Sequence, residues 1–149
     1  MEAILFTGIP GSGKSSFYKE LFFQTHVRIS LDLLKTRHRE KLILEACLAT
    51  DMRFVIDNTN PTRAERLRYI EAAKSNPRYS VLGYYFESKV EDCLRRNTAR
   101  PECERIPDAG IFSAAKRLEL PSLDEGFERL FYVRLRDGQF VVEEWRDEV

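Results

Sequence analysis

Residues 7–16 read TGIPGSGKSS and contain Gly8, four residues, then Gly13, Lys14 and Ser15. A short apolar run leads into this stretch and the helical pattern SSFYKELFF follows it, which predicts a strand, a loop and a helix. A glycine loop in that context turns its backbone N–H groups inward, where they hold phosphate oxygens beside the helix N-terminus. The stretch therefore predicts a nucleoside triphosphate site; the alternative is an ordinary glycine-rich turn.

Each residue type of this loop contributes differently to phosphate binding. Gly11 and Gly13 permit backbone geometry and a close approach that a Cβ would block. We expect Lys14 to reach the β- and γ-phosphates and the Ser15 hydroxyl to bind Mg²⁺. The predicted nucleotide-binding residues of the loop are Gly11, Ser12, Gly13, Lys14, Ser15 and Ser16.

Composition limits what else the chain can be. Its 149 residues are 43% hydrophobic, which is enough for one core, so we expect a single domain over residues 1–149. The formal net charge of zero argues against a protein that coats long nucleic acid and leaves room for a local basic patch. Three widely spaced cysteines indicate neither a disulfide framework nor a zinc site. No apolar run is long enough to cross a membrane, and we expect a soluble, cytoplasmic protein.

The rest of the chain alternates between strand and helix patterns. Three short apolar runs are typical of buried strands, residues 3–7, 54–56 and 80–86, and a further strand-like run lies at residues 27–30. Helical patterns between them predict an α/β fold, with about five mostly parallel strands and helices on both faces. Near the C-terminus, Asp137-Gly138 separates two strand-like runs, which predicts a hairpin that ends in an antiparallel edge strand.

Two helix starts are predicted from capping patterns. Asn60 is the expected N-cap of a helix that begins at Pro61. Its apolar side is expected to contain Ala64, Leu67, Ile70 and Ala73. Ser88 and Glu91 have the spacing of a capping box. The helix that follows is expected to bury a stripe of Val90, Cys93, Leu94 and Asn97.

Two carboxylates follow predicted strands. Asp32 comes just after VRIS, where an open parallel sheet places its ligand crevice. A carboxylate there can accept the proton of an attacking hydroxyl, although Asp32 could instead cap the next helix. Asp57 follows the third strand and could hold a water of the Mg²⁺ shell or orient the acceptor; alternatively, DNTN is a polar turn. Thr59, in the same turn, is a further predicted acceptor contact.

The stretch LRRNTARPECERIP predicts a lid over about residues 95–107. Arg96 and Arg100 are four residues apart, so they share one face if the helix persists. Arginines at the loose end of a helix can close over a triphosphate and stabilise charge during transfer. We therefore expect both to contact the nucleotide, with Arg100 also catalytic, whereas Arg95 and Arg105 are typical of a solvated face.

Together these residue groups resemble the 5′-kinase domain of polynucleotide kinases, both the phage type and the animal polynucleotide kinase-phosphatases. The matched stretches are GIPGSGKSSF, ISLDLL, VIDNTNPTRAERLRYIEAAK, LRRNTAR and RIPDAGIFSAAKRLELPSLDEGFERL. They run in family order over roughly residues 3–135. The resemblance implies the P-loop kinase fold, ATP and Mg²⁺, and transfer of the γ-phosphate to the 5′-hydroxyl of DNA or RNA.

The resemblance also implies roles for individual residues. Asp32 falls on the general base, Asp57 on the acid after the third strand and Arg100 on the lid arginine. Lys14 and Ser15 fall on the nucleotide and metal contacts. The catalytic set is therefore Asp32, Lys14 and Arg100, the metal set Ser15 and Asp57, and the acceptor set Asp32, Lys35, Asp57 and Thr59.

The chain departs from the family pattern near the base. Leu31 stands where the family often has an arginine, and Lys35 stands where phage relatives have one. An ammonium can neutralise a phosphate but cannot bind it through two parallel hydrogen bonds, so contact with the next nucleotide is in question. Lys35, Arg37, Arg39 and Lys41 are expected to line the approach of the strand; for Arg39 and Lys41 the alternative is a solvated helix face. The family's phosphatase signature is missing, which suggests either a kinase with a separate phosphatase or ligase as repair partner, or a fragment of a longer protein.

Two other functions fit the same residues. A kinase of this fold could phosphorylate a small hydroxyl compound such as a nucleoside, a sugar or a sugar nucleotide. Alternatively, the chain could bind a nucleotide as a regulatory protein without turnover. Asp32 discriminates between these classes, because only an enzyme needs a carboxylate beside the acceptor.

Overall fold

A β-sheet forms the centre of the structure. A computed structural model describes residues 1–147, and in that part of the chain the sheet has six strands: β1 (Glu2–Thr7), β2 (Val27–Ile29), β3 (Phe54–Ile56), β4 (Ser80–Phe86), β5 (Arg129–Arg136) and β6 (Gln139–Glu144). Their spatial order is β2-β3-β1-β4-β5-β6. All neighbours are parallel except β5 and β6. The predicted parallel sheet with an antiparallel C-terminal edge is confirmed.

Strand register brings three chain segments to one edge of the sheet. Leu5 of β1 lies beside Ile56 of β3, which lies beside Ile29 of β2. The glycine loop after β1, Ser30 after β2 and Asp57 after β3 therefore emerge next to one another. β1 has β3 on one side and β4 on the other. An open parallel sheet places its ligand crevice at such a switch point, outside the carboxyl ends of the strands.

Helices cover both faces of the sheet. Within residues 1–147 they are α1 (Lys14–Leu21), α2 (Leu31–Leu34), α3 (Arg37–Ala49), α4 (Arg63–Lys74), α5 (Val90–Ala99) and α6 (Asp108–Arg117), with 3₁₀ turns at Glu102–Glu104 and Leu123–Glu125. Phe6 of β1 packs in one core with Phe17 of α1, whereas its neighbour Leu5 packs in another with Ile70 of α4. This alternation follows from the two-residue period of a strand. None of these helices has the length and apolar content to span a bilayer.

Helix α4 begins two residues later than the sequence indicates. Thr62 is its N-cap and forms a capping box with Glu65. The prediction of Asn60 as the cap is wrong, because that residue has a φ of 44° and its side chain donates a 2.7 Å hydrogen bond to the carbonyl of Phe6. Asn60 thus ties the loop after β3 to the end of β1.

The predicted capping box of α5 is wrong as well. Lys89 is the N-cap and makes no side-chain cap bond. Ser88 Oγ instead donates to the carbonyl of Phe86 at 2.8 Å and accepts from the N–H of Ile9 at 3.1 Å. Ser88 therefore connects the end of β4 to the glycine loop.

The buried face of α4 also differs from the prediction. Ala64 is exposed and Leu67 is 43% exposed. The buried side carries two polar residues, Arg66 and Tyr69, whose polar atoms bond to other elements. Ile70 and Ala73 are buried as predicted, so apolar spacing identified half of the buried side and missed its two polar members. For α5 the predicted stripe is confirmed: Cys93 and Asn97 are buried, and Val90 and Leu94 pack against the same core.

Candidate active site

The glycine loop is shaped for close contact with an anion. Gly11 and Gly13 have φ angles of 84° and 101°, in the left-handed region that favours glycine. A Cβ on Gly11 would lie 2.7 Å from the carbonyl oxygen of Cys93, because α5 packs directly against the loop. Gly13 is the N-cap of α1 and makes no side-chain cap bond. The first N–H groups of α1 are thus available to phosphate oxygens.

Lys14 lies beneath this loop as a buried cation. Its Nζ donates to the carbonyl oxygens of Gly8 and Ile9 at 2.8 and 3.0 Å. Burial lowers the pKa of the Lys14 ammonium to about 8, although the Asp57 carboxylate opposes the shift. An ammonium held by carbonyls in a desolvated position gains strongly from an incoming phosphate.

Ser15, Asp57 and Arg28 form a closed set of hydrogen bonds beside Lys14. Ser15 Oγ donates to Asp57 Oδ2 at 3.1 Å. Arg28 donates from Nε to Asp57 Oδ2 at 2.8 Å and from a terminal nitrogen to Ser15 Oγ at 3.1 Å. The Asp57 side chain is only 2% exposed, so Arg28 supplies its counter-charge. Arg28 is absent from the residues predicted from sequence.

The two oxygens of this set fit a magnesium ion. Neighbouring ligands of an octahedral Mg²⁺ lie about 2.9 Å apart, since each is 2.0–2.1 Å from the ion. Ser15 Oγ and Asp57 Oδ2 are separated by 3.1 Å. Among residues 1–147, no three His, Cys, Asp or Glu side chains cluster as a metal site of their own. The arrangement suits a metal that completes its shell with substrate phosphates and water.

Asp32 lies at the start of α2 and lines the same cavity as Lys14 and Ser15. Ser30 occupies the N-cap position of this short helix and Asp32 lies in its first turn, so Asp32 does not cap the helix. Its side chain is exposed. The backbone N–H of Leu31 donates to Asn58 Oδ1 at 2.9 Å. This bond fixes the helix start that carries Asp32 against the loop after β3.

A buried polar network supports Asn58 from behind. Its side-chain nitrogen donates to Glu40 Oε2 at 2.9 Å, and the Tyr69 hydroxyl donates to Glu40 Oε1 at 2.9 Å. Arg37 donates to both Glu40 and Tyr69. Burial, reinforced by the Glu40 carboxylate, raises the pKa of Tyr69 to about 12. Sequence reasoning missed Glu40, Asn58 and Tyr69 in this role, because their contacts join α3, the β3 loop and α4.

The two lid arginines occupy different positions. Helix α5 ends at Ala99 and Arg100 continues in an extended conformation, so the helix does not persist to place both on one face. Arg96 donates to the carbonyl of Gly11 at 3.2 Å and thereby supports the loop from outside. Asn97 makes two hydrogen bonds with the backbone of Ile106, at 2.8 and 3.1 Å, which close the base of the predicted lid.

Most of the predicted site residues line one cavity of about 800 Å³. These are Gly11, Gly13, Lys14, Ser15, Ser16, Asp32, Lys35, Asp57, Thr59 and Arg100. Ser12 and Arg96 are not among the lining residues, since Ser12 is buried within the loop and Arg96 contacts its outer side. Thr59 also accepts a 3.0 Å backbone hydrogen bond from Gly8. The predicted phosphate-binding residues of the loop and Asp32 therefore line the same cavity.

Comparison with known proteins places this arrangement in a class. No protein-family model matches the chain. The chain is 30% identical, over 131 residues and 85% of its length, to a bifunctional polynucleotide phosphatase/kinase of Schizosaccharomyces pombe. It spans 32% of the length of that relative.

Solved structures show the same fold. A chain of the Pnkp1/Rnl/Hen1 RNA repair complex matches with a TM-score of 0.66 and 20% identity, over 78% of this chain and 43% of that one. A gluconokinase from Sinorhizobium meliloti 1021 matches with a TM-score of 0.59 and 18% identity, over 89% of this chain and 82% of that one. Fold, glycine loop and similarity together define a kinase domain of the P-loop class. Within that class, the chain is similar to two bifunctional polynucleotide phosphatase/kinases, each at 30% identity and over 32% of the relative's length.

Proposed function

We propose that this domain transfers the γ-phosphate of ATP to the 5′-hydroxyl end of DNA or RNA. The observation that carries the proposal is the common cavity, which Asp32 lines together with Lys14 and Ser15. In-line transfer needs donor phosphate and acceptor hydroxyl held in one enclosed space. A cavity of about 800 Å³ is within the size range of ligand sites.

The donor side is built from the glycine loop and the lid. Backbone N–H groups at the start of α1 would bind the phosphates, and Lys14 would leave its carbonyl partners to contact them. Arg100 lines the same cavity and would stabilise the charge that spreads over the transferred group. A Mg²⁺ ion held by Ser15 and Asp57 would neutralise the phosphates and orient the leaving group.

The acceptor side is built around Asp32. Its carboxylate would accept the proton of the 5′-hydroxyl as that oxygen bonds to the γ-phosphorus. The bond from this phosphorus to the β–γ bridging oxygen breaks at the same time, and ADP leaves. Lys35, which lines the same cavity as Asp32, would neutralise a phosphate of the acceptor strand. Thr59 is proposed as a further contact of the acceptor end.

Similarity to a named polynucleotide phosphatase/kinase favours a nucleic-acid acceptor. The cations beyond Asp32 support this choice. Arg37, Arg39 and Lys41 are exposed on α3, the helix that follows Asp32 and Lys35 along the chain. A phosphatase or ligase that acts on the same ends would complete the repair reaction, and we propose such an activity as the functional partner.

A small hydroxyl compound is the second candidate acceptor, because the fold also matches a gluconokinase. The two acceptors are separated by incubating the protein with γ-labelled ATP and either a 5′-hydroxyl oligonucleotide or a panel of sugars and nucleosides. We expect label on the oligonucleotide and none on the small compounds. Intact nucleotide binding without transfer to the oligonucleotide would contradict the proposal. A 5′-phosphorylated oligonucleotide is the matched control, since it offers no 5′-hydroxyl.

A further inference from the structure

Arg28 is an arginine inside the candidate metal site. It is the middle residue of β2, the edge strand of the sheet, and its side chain is 27% exposed. Its guanidinium contacts Asp57 Oδ2 at 2.8 Å and Ser15 Oγ at 3.1 Å. These are the same two oxygens that the proposed function assigns to Mg²⁺.

Arg28 and a metal ion therefore need the same acceptors. Both polar contacts of its guanidinium with this site go to metal-binding oxygens, and each uses a lone pair that a cation would take. A divalent ion bound there would also lie within a few ångströms of a positive guanidinium, which repels it. The two cations compete for one position unless the arginine side chain moves.

The buried carboxylate of Asp57 needs a neighbouring cation when no metal ion is bound. It is almost fully buried, with 2% of the side chain exposed. A buried, unpaired carboxylate is costly, and Arg28 removes that cost. Arg28 itself lies on an edge strand and is partly exposed, so its flexible side chain has a path towards solvent.

We propose that Arg28 is a built-in counter-ion of the metal site, which holds Ser15 and Asp57 until a metal–nucleotide complex displaces it. This inference rests on the proposed assignment of those two residues to Mg²⁺. It makes Arg28 a positioning residue that sets the metal affinity of the free domain. A metal ion alone must displace the Arg28 guanidinium from Ser15 and Asp57. A metal ion bound to a triphosphate is helped by the contacts between the phosphates and the glycine loop.

The test uses Mn²⁺ as the probe and needs no turnover. Binding of Mn²⁺ to the nucleotide-free protein is measured from the electron paramagnetic resonance signal of the unbound ion. We expect Arg28→Gln to bind Mn²⁺ about tenfold more tightly than the wild type or better, because a repelling charge is removed. Arg28→Lys, which keeps the charge, should remain closer to the wild type. Asp57→Asn should lose most of the binding.

The matched control is Arg78→Gln, which removes a surface arginine paired with Asp51 and should leave Mn²⁺ affinity unchanged. Thermal unfolding of each variant verifies that it is folded. Equal Mn²⁺ affinity in folded Arg28→Gln and in the wild type, with loss in Asp57→Asn, would overturn the inference about Arg28. Phosphate transfer by the wild type is assayed on the same preparations. Its absence would overturn the proposed function and not the binding result, so the two failures are distinguishable.

Discussion

The side-chain oxygen of Asn58 accepts a 2.9 Å hydrogen bond from the backbone N–H of Leu31, the residue before Asp32. This bond joins the loop after β3 to the first turn of α2. Asn58 is fixed in turn by its hydrogen bond to buried Glu40. The position of Asp32, the proposed base, thus depends on a hydrogen-bond network. One member of that network, Glu40, does not line the cavity.

Asn58→Ala tests whether this network positions Asp32. We expect kcat to fall about 10- to 100-fold, because a small displacement of a catalytic group is costly, while nucleotide affinity stays unchanged. Steady-state kinetics and direct nucleotide binding separate the two effects. Asn76→Ala is the matched control: it removes an amide that bonds to the carbonyl of Leu48, away from the cavity. Equal kcat values for both variants would contradict the positioning role.

Asp32→Asn tests the base itself. Loss of the proton acceptor should lower kcat about 100- to 10,000-fold. Because Asp32 is exposed and makes no cap, stability and ATP binding should remain as in the wild type. Asp108→Asn, at another exposed helix start, serves as the control for removal of a surface charge. Retention of more than half of the activity in Asp32→Asn would exclude the base assignment.

The lowered pKa of Lys14 predicts a pH dependence of nucleotide affinity. The free protein holds this ammonium at a pKa of about 8, and bound phosphates would raise that pKa. Binding therefore gains from the charge below pH 8 and loses about tenfold per pH unit above it, until the pKa of the complex is reached. We expect this decline for an unreactive ATP analogue titrated from pH 7 to 9.5. Lys14→Arg stays charged over this range, so its affinity for the analogue should not decline with pH. The prediction would be contradicted if affinity fell equally with pH in Lys14→Arg and in the wild type.

Breaking the ion pair between Arg66 and Glu125 should strongly lower the stability of the fold, although the pair is remote from the proposed active site. Their side chains are 0% and 2% exposed and form bonds of 2.8 and 3.2 Å. Arg66→Met should lower the free energy of unfolding by about 3–5 kcal/mol, since Glu125 is left as a buried, unpaired charge. Adding Glu125→Leu should restore much of the loss. Urea unfolding measures both changes.

The neighbouring pair Arg63 and Asp124 is the control for that experiment. It joins the same helix to the same 3₁₀ turn, but the side chains are 52% and 72% exposed. Arg63→Met should change the free energy of unfolding by less than about 1 kcal/mol. If Arg63→Met and Arg66→Met lower the free energy of unfolding equally, burial is not the reason for the importance of the Arg66–Glu125 pair.

Features that depend on short stretches could be predicted from sequence. The spacing of the glycine loop predicted backbone geometry at Gly11 and Gly13 that a Cβ would block, and both have positive φ angles. Asp137-Gly138 predicted the hairpin, and both residues have positive φ angles. In each case the local backbone requirement is met by residues next to one another in the chain. The roles of these groups in catalysis remain predictions.

Features that depend on distant partners could not be predicted. Arg28 appeared only as a cation within a strand-like run, and its partner Asp57 is 29 residues away. Arg66 looked like a polar residue on a helix surface, yet it is buried because Glu125, 59 residues further on, neutralises it. Apolar spacing counts such arginines as solvent-facing, which is why it missed Arg66 on the buried side of α4. Only folding reveals which charges find buried partners.

The most direct test of the account is a structure of the domain with an unreactive ATP analogue and a short oligonucleotide that has a 5′-hydroxyl. The account predicts that the 5′-oxygen lies about 2.6–3.2 Å from the Asp32 carboxylate, within hydrogen-bond reach, and faces the γ-phosphate held by the loop with Lys14. An oligonucleotide bound with its 5′-end outside the cavity, or Asp32 turned away from that oxygen, would contradict it.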